Sequence, residues 1–156
     1  ATTSGGEARK FARTSGLTRP SKLRLPDSTL AATISLPLIA ALIGAAADEG
    51  NPDAMMDYGV LVFRGEGVQQ DEKIGAQWLL LSAKSGNPIA QNRVARLYLF
   101  GKGVTADPVE AMKWNILAAK SGRGDAELDS MMDKLTEAQK QEAQARADAF
   151  TPVAAK

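Results

Sequence analysis

The sequence predicts an all-α fold in which a short α-solenoid follows an extended basic N-terminal arm. Three observations predict it: a stretch that recurs with a period of 36 residues, apolar residues at helical spacing inside each copy, and a change of composition near residue 27. A chain of 156 residues is long enough to bury one hydrophobic core. We expect an arm over residues 1–27, a solenoid over 28–150 and a C-terminal tail over 151–156.

Residues 50–85 and 86–121 are two copies of one unit. Aligned without a gap, the copies agree at 14 of 36 positions. The agreements include GNP at the start, GxGV in the middle, and a tryptophan followed by AKS at the end. Such positions are expected to build a scaffold of stacked units rather than an active site. The structural repeat residues are Gly65, Gly67, Asp71, Trp78, Gly101, Gly103, Asp107 and Trp114.

Each copy has the pattern of two helices joined by a tight loop. The first helix begins after GNP, because proline suits the first helical turn, and a glycine of the GxG loop ends it. Asp71 and Asp107 stand where the N-caps of the second helices are expected. The second helices end at Gly86 and Gly122. Their tryptophans are expected to bury about 200 Å² each between helices.

The same phase extends beyond the two copies. Residues 30–48 are predicted to form a degenerate leading helix, with Ser35 as its N-cap and Pro37 in its first turn. Residues 122–150 lack the GxG loop and the tryptophan. Thr136 and Gln139 make a capping box there, which opens a charged final helix to about Phe150. A polar capping pair is what the end of a solenoid needs, because its outer face meets water.

The spaced residues resemble the Sel-one-like repeat, a relative of the tetratricopeptide repeat. The match covers residues 50–121, where alanine and leucine precede GxGV, aspartate, tryptophan and small residues before glycine. The resemblance implies a surface that binds other proteins, and adaptor or assembly work in bacterial complexes. In the first copy Val62 stands where Tyr98 provides the family's usual tyrosine, and Gly75 replaces the alanine seen at Ala111. These departures predict looser packing of the first copy.

The chain contains neither histidine nor cysteine. Their absence removes the commonest general base, the usual metal ligands, thiol nucleophiles and disulfides. The acidic residues are spread along polar helix faces, and none stands inside an apolar run where burial would shift its pKa. We therefore expect no catalytic residue, no cofactor and no metal site. A hydrolase is the weaker alternative.

The first 26 residues carry a strong positive charge. Six basic residues and one acid give a net charge of +5, while the remaining 130 residues carry −4. A composition rich in glycine, serine and threonine predicts an extended segment, and a basic strand suits an acidic surface on a larger protein subunit. The few aromatic residues and the acidic body argue against nucleic acid. The predicted partner-binding residues of the arm are Arg9, Lys10, Phe11, Arg13, Arg19, Lys22 and Arg24.

Residues 30–47 form an uncharged run of 18 residues. This length reaches the lower limit for a membrane helix, so a membrane-anchored scaffold is an alternative to a solenoid helix. The run has no polar face. The arm, a partner subunit or lipid must therefore cover it.

The sequence thus leads to the hypothesis of a non-catalytic accessory or assembly subunit of a larger bacterial complex, with the arm wrapping a partner. The third subunit of a membrane-bound quinoprotein alcohol dehydrogenase, a periplasmic oxidoreductase, is one example of this size and role. The resemblance favours the periplasm, since many bacterial members look exported. The start at Ala1 fits a mature exported protein or simple methionine removal, so the cytoplasm and the membrane stay as alternatives.

Overall fold

The structure is a computed structural model that describes the backbone of residues 28–154 and the side chains of residues 35–154. The chain divides into two units, residues 1–32 and residues 33–156. The predicted arm lies outside the described residues. All side-chain contacts given below are made within the second unit.

Residues 28–154 form seven α-helices and no strand. The helices are α1 (Ser28–Asp48), α2 (Pro52–Arg64), α3 (Glu72–Lys84), α4 (Pro88–Phe100), α5 (Pro108–Lys120), α6 (Ala126–Met132) and α7 (Glu137–Asp148). From α2 to α6 each helix packs on the next, and α7 packs on α5. This arrangement is a helix-turn-helix solenoid, so the predicted all-α fold class is confirmed.

The first helices of the two copies begin and end at equivalent positions. Asn51 and Asn87 cap α2 and α4, and their side-chain oxygens accept hydrogen bonds from amides of the first turn. Each cap is followed by a proline, whose missing amide needs no partner there. The helices end at Gly65 and Gly101, which have φ of 74° and 64°. Glycine adopts this left-handed region without strain, so the chain turns sharply into the loop.

The second helices begin at aspartate caps that also fasten the loop to the first helix. The carboxylate of Asp71 accepts a 2.9 Å hydrogen bond from the amide of Ile74, and Asp107 caps α5 in the same way. The backbone amides of Asp71 and Asp107 donate to the carbonyl oxygens of Val62 and Tyr98, both at 2.9 Å. The last residue of each loop is thus hydrogen-bonded to the helix before the loop and to the helix after it.

Helix α1 begins earlier than the sequence pattern indicates. It starts at Ser28 and contains Pro37 in its interior, so the prediction that Ser35 caps this helix is wrong. Leucine and alanine, both strong helix formers, precede Ser35, and no helix breaker interrupts them. Proline inside a helix removes one backbone hydrogen bond and crowds the preceding turn, and here it does not end the helix.

The core ends at the C-terminal helices. Leu128 of α6 and Trp114 of α5 are both buried, and the ring of Phe150 meets the Trp114 indole edge to face at 5.5 Å. The predicted capping box is present, because Thr136 and Gln139 exchange hydrogen bonds at the start of α7. The charged helix α7 then buries only its small residues against the core.

The chain after α7 returns to the first copy. The backbone amide of Val153 donates a 2.8 Å hydrogen bond to the carbonyl oxygen of Lys84, at the end of α3. A Cβ atom added at Gly86 would lie 3.4 Å from the side chain of Pro152. This tail segment therefore satisfies one of the helix-end carbonyl groups that α3 leaves unpaired.

Candidate interaction surface

The second glycine of each GxG loop lies against the preceding helix B, the second helix of a copy. A Cβ atom at Gly103 would overlap the carbonyl oxygen of Glu72 and lie 2.9 Å from the Ala76 methyl group. A Cβ atom at Gly67 would lie 2.6 Å from the carbonyl oxygen of Leu36 in α1. Both glycines have positive φ. They allow the loop backbone to touch the neighbouring helix, so they form the joints of the stack.

The two repeat tryptophans differ in burial. Trp114 is only 2% exposed, and the ammonium group of Lys113 lies 4.4 Å from the centre of its ring. Trp78 is half-buried and meets the ring of Tyr58 edge to face at 5.5 Å. Helix α7 and Phe150 cover Trp114 at the C-terminal end, whereas Trp78 packs in the first copy on α2.

Gly75 tightens the first copy instead of loosening it. A Cβ atom at this position would lie 2.7 Å from both the backbone nitrogen and the Cβ atom of Phe63, and 2.8 Å from the carbonyl oxygen of Gly59. Such distances are shorter than van der Waals contact. Helices α2 and α3 therefore approach more closely than any larger residue would allow, and the expectation of looser packing in this copy is wrong.

A groove of about 180 Å³ opens where α2, α3 and α4 meet. We call it the arginine groove; it combines an apolar wall with three cations and is lined by Val60, Phe63, Arg64, Leu79, Arg93, Arg96 and Leu97. Leu79 and Leu97 are buried at its floor. Apolar surface next to fixed positive charge suits a protein segment that carries a large apolar side chain near a carboxylate.

The Nε atom of Arg93 is buried and has no hydrogen-bond partner among the described residues. A buried donor without a partner costs about 1–3 kcal/mol, so this side chain is held in an unfavourable state. The sequence does not single out this residue. Its burial depends on packing between helices, and no local motif marks it.

The other two cations of the groove are already paired. Arg96 donates from Nε and Nη2 to one carboxylate oxygen of Asp125, at 2.9 and 2.5 Å, and from Nη2 to Glu127 at 3.0 Å. The hydrogen bond to Asp125 is the main cause that raises the pKa of Arg96. Arg64 lies 3.5 Å from Glu66, and both side chains are about half-exposed, so this pair is weak. Among the cations of the groove, Arg93 is therefore the one that makes no ion pair with the described residues.

The GKGVT loop borders a wider and more open cavity of about 570 Å³. The carboxylates of Asp71 and Glu72 line it together with Lys73. Negative charge at the edge of the loop disfavours a bound phosphate, in agreement with the scaffold role expected for the glycines. Within residues 28–154, no group of three or more carboxylates is arranged to hold a metal ion.

Helix α1 displays large apolar side chains to the outside. Leu38 and Leu42 are 61% and 64% exposed, and Leu36 and Ile39 are both 46% exposed. Opposite them, Ala40 and Ala47 are buried. The alternative from sequence was a membrane span over residues 30–47; in the described part of the chain, no helix combines the length and the apolar character needed to cross a bilayer.

The predicted partner-binding residues of the arm all lie outside the described residues, so their positions stay predictions. They are Arg9, Lys10, Phe11, Arg13, Arg19, Lys22 and Arg24.

Comparisons with known proteins agree with this architecture. The family model of the Sel1 repeat matches residues 52–87 and 88–122. No curated protein matches the chain. Among solved structures, a Sel1 repeat protein from Oxalobacter formigenes is 31% identical with a TM-score of 0.53, and the match covers 60% of this chain and 68% of that one.

A second solved structure is that of a protective antigen present in uropathogenic Escherichia coli strains, which displays an SLR fold. It is 28% identical with a TM-score of 0.68, and the match covers 71% of this chain. The chain spans only 24% of the length of that antigen. The two matched repeats, their agreement with the observed helices and the likeness to the Oxalobacter protein place this chain in the Sel1 repeat family.

Proposed function

We propose that this chain is a non-catalytic accessory or assembly subunit of a larger bacterial complex. Sel1 repeats generally mediate protein–protein interaction, so a protein partner is the starting point. The finer proposal is that one partner subunit occupies the arginine groove while the basic arm lies along an acidic surface of the same complex.

The observation that carries this proposal is that Arg93, which lines the apolar groove, has a buried Nε atom without a hydrogen-bond partner among the described residues. The groove volume suits one large apolar side chain rather than a substrate with several polar groups. A carboxylate of the partner would pair with the guanidinium group of Arg93. Desolvated arginine–carboxylate contacts of this kind often contribute much of the affinity at protein interfaces.

The absence of catalytic chemistry is part of the proposal. The sequence contains no histidine or cysteine. The described carboxyl groups with resolved pKa shifts are Asp125 and Asp148, and both pKa values are lowered. A lowered pKa keeps a carboxyl group ionised at neutral pH, which is the opposite of what a general acid needs.

A periplasmic location also belongs to the proposal. The support is the kinship with the Sel1 repeat family, in which many bacterial members look exported. Fractionation of the native bacterium, with the chain detected by antibody, tests this part. Recovery in the cytoplasmic fraction alone would reject the periplasm and leave the binding role to be judged separately.

Affinity capture from the native bacterium tests the binding role. The baits are the full chain, a form that lacks residues 1–26, Arg93→Met, and Arg123→Met as a matched control at an exposed arginine. We expect the first two variants to lose a subunit that the full chain and the control recover. Titration of that purified subunit should then show a Kd raised about tenfold or more by Arg93→Met. Equal recovery of the same proteins by all four baits would reject the proposal.

A further inference from the structure

Helix α1 occupies the place of helix B in a repeat upstream of the two complete copies. Gly67 lies against the backbone of Leu36, and Gly103 lies against the backbone of Glu72. Gly103 follows Gly67 by 36 residues, and Glu72 follows Leu36 by the same 36 residues. Helix α1 is thus joined to the first copy as α3 is joined to the second. Its residues can therefore be compared with those of α3 and α5 one repeat at a time.

In the complete copies, one side of helix B is covered by helix A, the first helix of the same copy. In the first copy, Leu79 lies against Gly59, Trp78 meets Tyr58, and the hydroxyl group of Ser82 donates a 2.6 Å hydrogen bond to the start of α2. The positions concerned in α3 are Gly75, Trp78, Leu79 and Ser82, and those in α5 are Ala111, Trp114, Asn115 and Ala118. All of them are buried except the half-buried Trp78.

The equivalent residues of α1 are Ile39, Leu42, Ile43 and Ala46, and we call them the A-facing side of α1. Ile39 and Leu42 are exposed, whereas Ile43 and Ala46 are half-buried. Leu42 is 64% exposed, and Trp114, at the equivalent position two repeats later, is 2% exposed. Leu36 and Leu38 of α1 are also exposed, but so are their α3 equivalents, Glu72 and Ile74. Exposure at these two positions is therefore normal for helix B. The A-facing side is thus less covered than the equivalent sides of α3 and α5, most of all at Leu42.

The sequence one repeat upstream lacks the pattern of the described helices A. One repeat upstream of α2 lie residues 16–28, GLTRPSKLRLPDS, and Ser28 already belongs to α1. Helices α2 and α4 each have a proline only at the first position. The upstream segment has two prolines, Pro20 and Pro26, at interior positions within 13 residues, whereas α1 has one in 21, so this segment loses more backbone hydrogen bonds as a helix than α1 does. The described helices A are themselves engaged with α3 and α5.

We propose that the A-facing side of α1 binds an amphipathic helix of a partner protein, which completes an upstream repeat. This inference rests on the proposed protein-binding function but concerns a second surface. The intra-repeat interface sets the length of the partner helix at about that of α2 and α4, which have 13 residues each. Apolar side chains at spacings of three and four would face Leu42. In the two copies, helix B has a small residue, Gly75 or Ala111, at the place where α1 has Ile39. Because Ile39 is larger, the partner helix is expected to place a glycine or alanine opposite it.

The acidic end of α1 predicts the charge of the partner helix. In the first copy the start of helix A lies at the end of helix B, as the hydrogen bond from Ser82 to Pro52 shows. The corresponding end of α1 carries the exposed carboxylates of Asp48 and Glu49, which make no ion pair with the described residues. The partner helix is therefore expected to carry lysine or arginine near its first turn.

Site-specific photocrosslinking of the full chain in the native bacterium tests the proposal. A photoreactive phenylalanine derivative replaces Leu42, and in the matched control it replaces Ile74, which is 46% exposed and is the α3 equivalent of Leu38 rather than of an A-facing residue. We expect an adduct of the Leu42 form with one segment of a partner protein, and none of the Ile74 form. The segment should have the apolar spacing, the small residue and the basic first turn described above.

Binding of the mapped segment gives the quantitative test. As a synthetic peptide it should become helical on binding the full chain, and Leu42→Asp should raise its Kd about tenfold or more, because an unpaired charge would be buried in the contact. Leu81→Asp, at an exposed position of α3, is the control and should leave Kd unchanged. Unchanged melting temperatures would show that both variants fold.

Other occupants of the A-facing side would overturn the proposal. These outcomes are an adduct with residues 1–27 of the same chain, an adduct between two copies of the chain, or flotation with phosphatidylglycerol vesicles that Leu42→Asp abolishes. Absence of any adduct would overturn it too. If the Leu42 adduct is absent while Arg93→Met still loses a captured subunit, this inference fails and the proposed function stands.

Discussion

Gly103 lies so close to the carbonyl oxygen of Glu72 that a methyl group at residue 103 would overlap that oxygen atom. The same relation holds one repeat upstream, between Gly67 and Leu36. Each joint of the stack is therefore a backbone–backbone contact that only glycine permits. The recurrent glycines of the loops determine how closely neighbouring repeats approach, in addition to the direction in which the chain turns.

Substitution at this joint should cost more than substitution at a free turn. Gly103→Ala must accept both a positive φ and the overlap with Glu72, whereas Gly122→Ala has a similar φ of 73° and no atom within 4 Å of the new methyl group. We expect about 1–2 kcal/mol of destabilisation for Gly122→Ala, and about 1–3 kcal/mol more for Gly103→Ala. Urea unfolding of both variants measures the difference. Equal losses would show that the joint has no role beyond its backbone angle.

Gly75→Ala should destabilise the protein although alanine favours helices. Helix propensity alone would stabilise this change by about 1 kcal/mol. The new methyl group would lie 2.7 Å from the Phe63 backbone, which cannot move without separating α2 from α3, so overpacking of about 1–3 kcal/mol should win.

Gly44→Ala in α1 is the matched control for Gly75→Ala. Its methyl group would meet the outer edge of the Tyr58 ring at 3.0 Å, and a ring edge can shift. We expect this variant to be neutral or slightly stabilised in urea unfolding. A stabilised Gly75→Ala protein would contradict the close approach of the two helices.

Trp114→Ala should destabilise the protein by about 3–5 kcal/mol, because it empties a buried site under Phe150. Trp78→Ala should cost roughly half as much, since its indole is only half-buried. Thermal unfolding followed by circular dichroism compares the two. Equal shifts in melting temperature would mean that the C-terminal helices do not cover Trp114 in solution.

The stability contributed by Asp125 should depend on pH. Its partial burial raises its pKa, but hydrogen bonds from Arg96, from the backbone amide of Leu128 and from Asn92 together lower the pKa below its ordinary value. A carboxyl group with a lowered folded-state pKa stabilises the protein above its unfolded-state pKa of about 3.9 and loses this contribution as pH falls through the folded-state value.

Asp125→Asn isolates this charge, because asparagine is an equally good N-cap for α6. We expect a loss of about 1–2 kcal/mol at pH 7 that shrinks toward zero as the pH is lowered below 4. Guanidinium unfolding at a series of pH values measures it. Glu66→Gln, which changes the exposed pair with Arg64, should have little effect throughout. A pH-independent loss for Asp125→Asn would point to the cap rather than the charge.

Local chemistry explains why most of the repeat could be predicted from the sequence. The caps Asp71 and Asp107, the glycine stops and the capping box at Thr136 act over three or four residues, so each is readable from its neighbours. The asparagine caps Asn51 and Asn87 carry the same local signal. In each GNP triplet, an asparagine directly before a proline predicts the N-cap as clearly as the proline predicts the first helical position.

What the sequence could not provide depends on distances between helices. Whether Gly75 loosens or tightens its copy depends on the separation of two backbones, which no spacing of residues encodes. The burial of the Arg93 Nε atom likewise depends on packing between helices. Pro37 is a local signal that led to the wrong start for α1. The helix formers on both sides of this proline outweigh the one backbone hydrogen bond that it removes.

The hydrogen bond from Val153 to Lys84 joins the tail directly to the first repeat, although the second repeat lies between them in the sequence. A stack whose units touch only their neighbours can lose its outer units one by one, as a zipper opens. Because the tail contacts both repeats, through Val153 on Lys84 and Phe150 on Trp114, unfolding of either repeat is expected to release the tail from the other. We therefore expect a single cooperative melting transition for the two repeats, and a terminal fusion that displaces Val153 should split that transition in two.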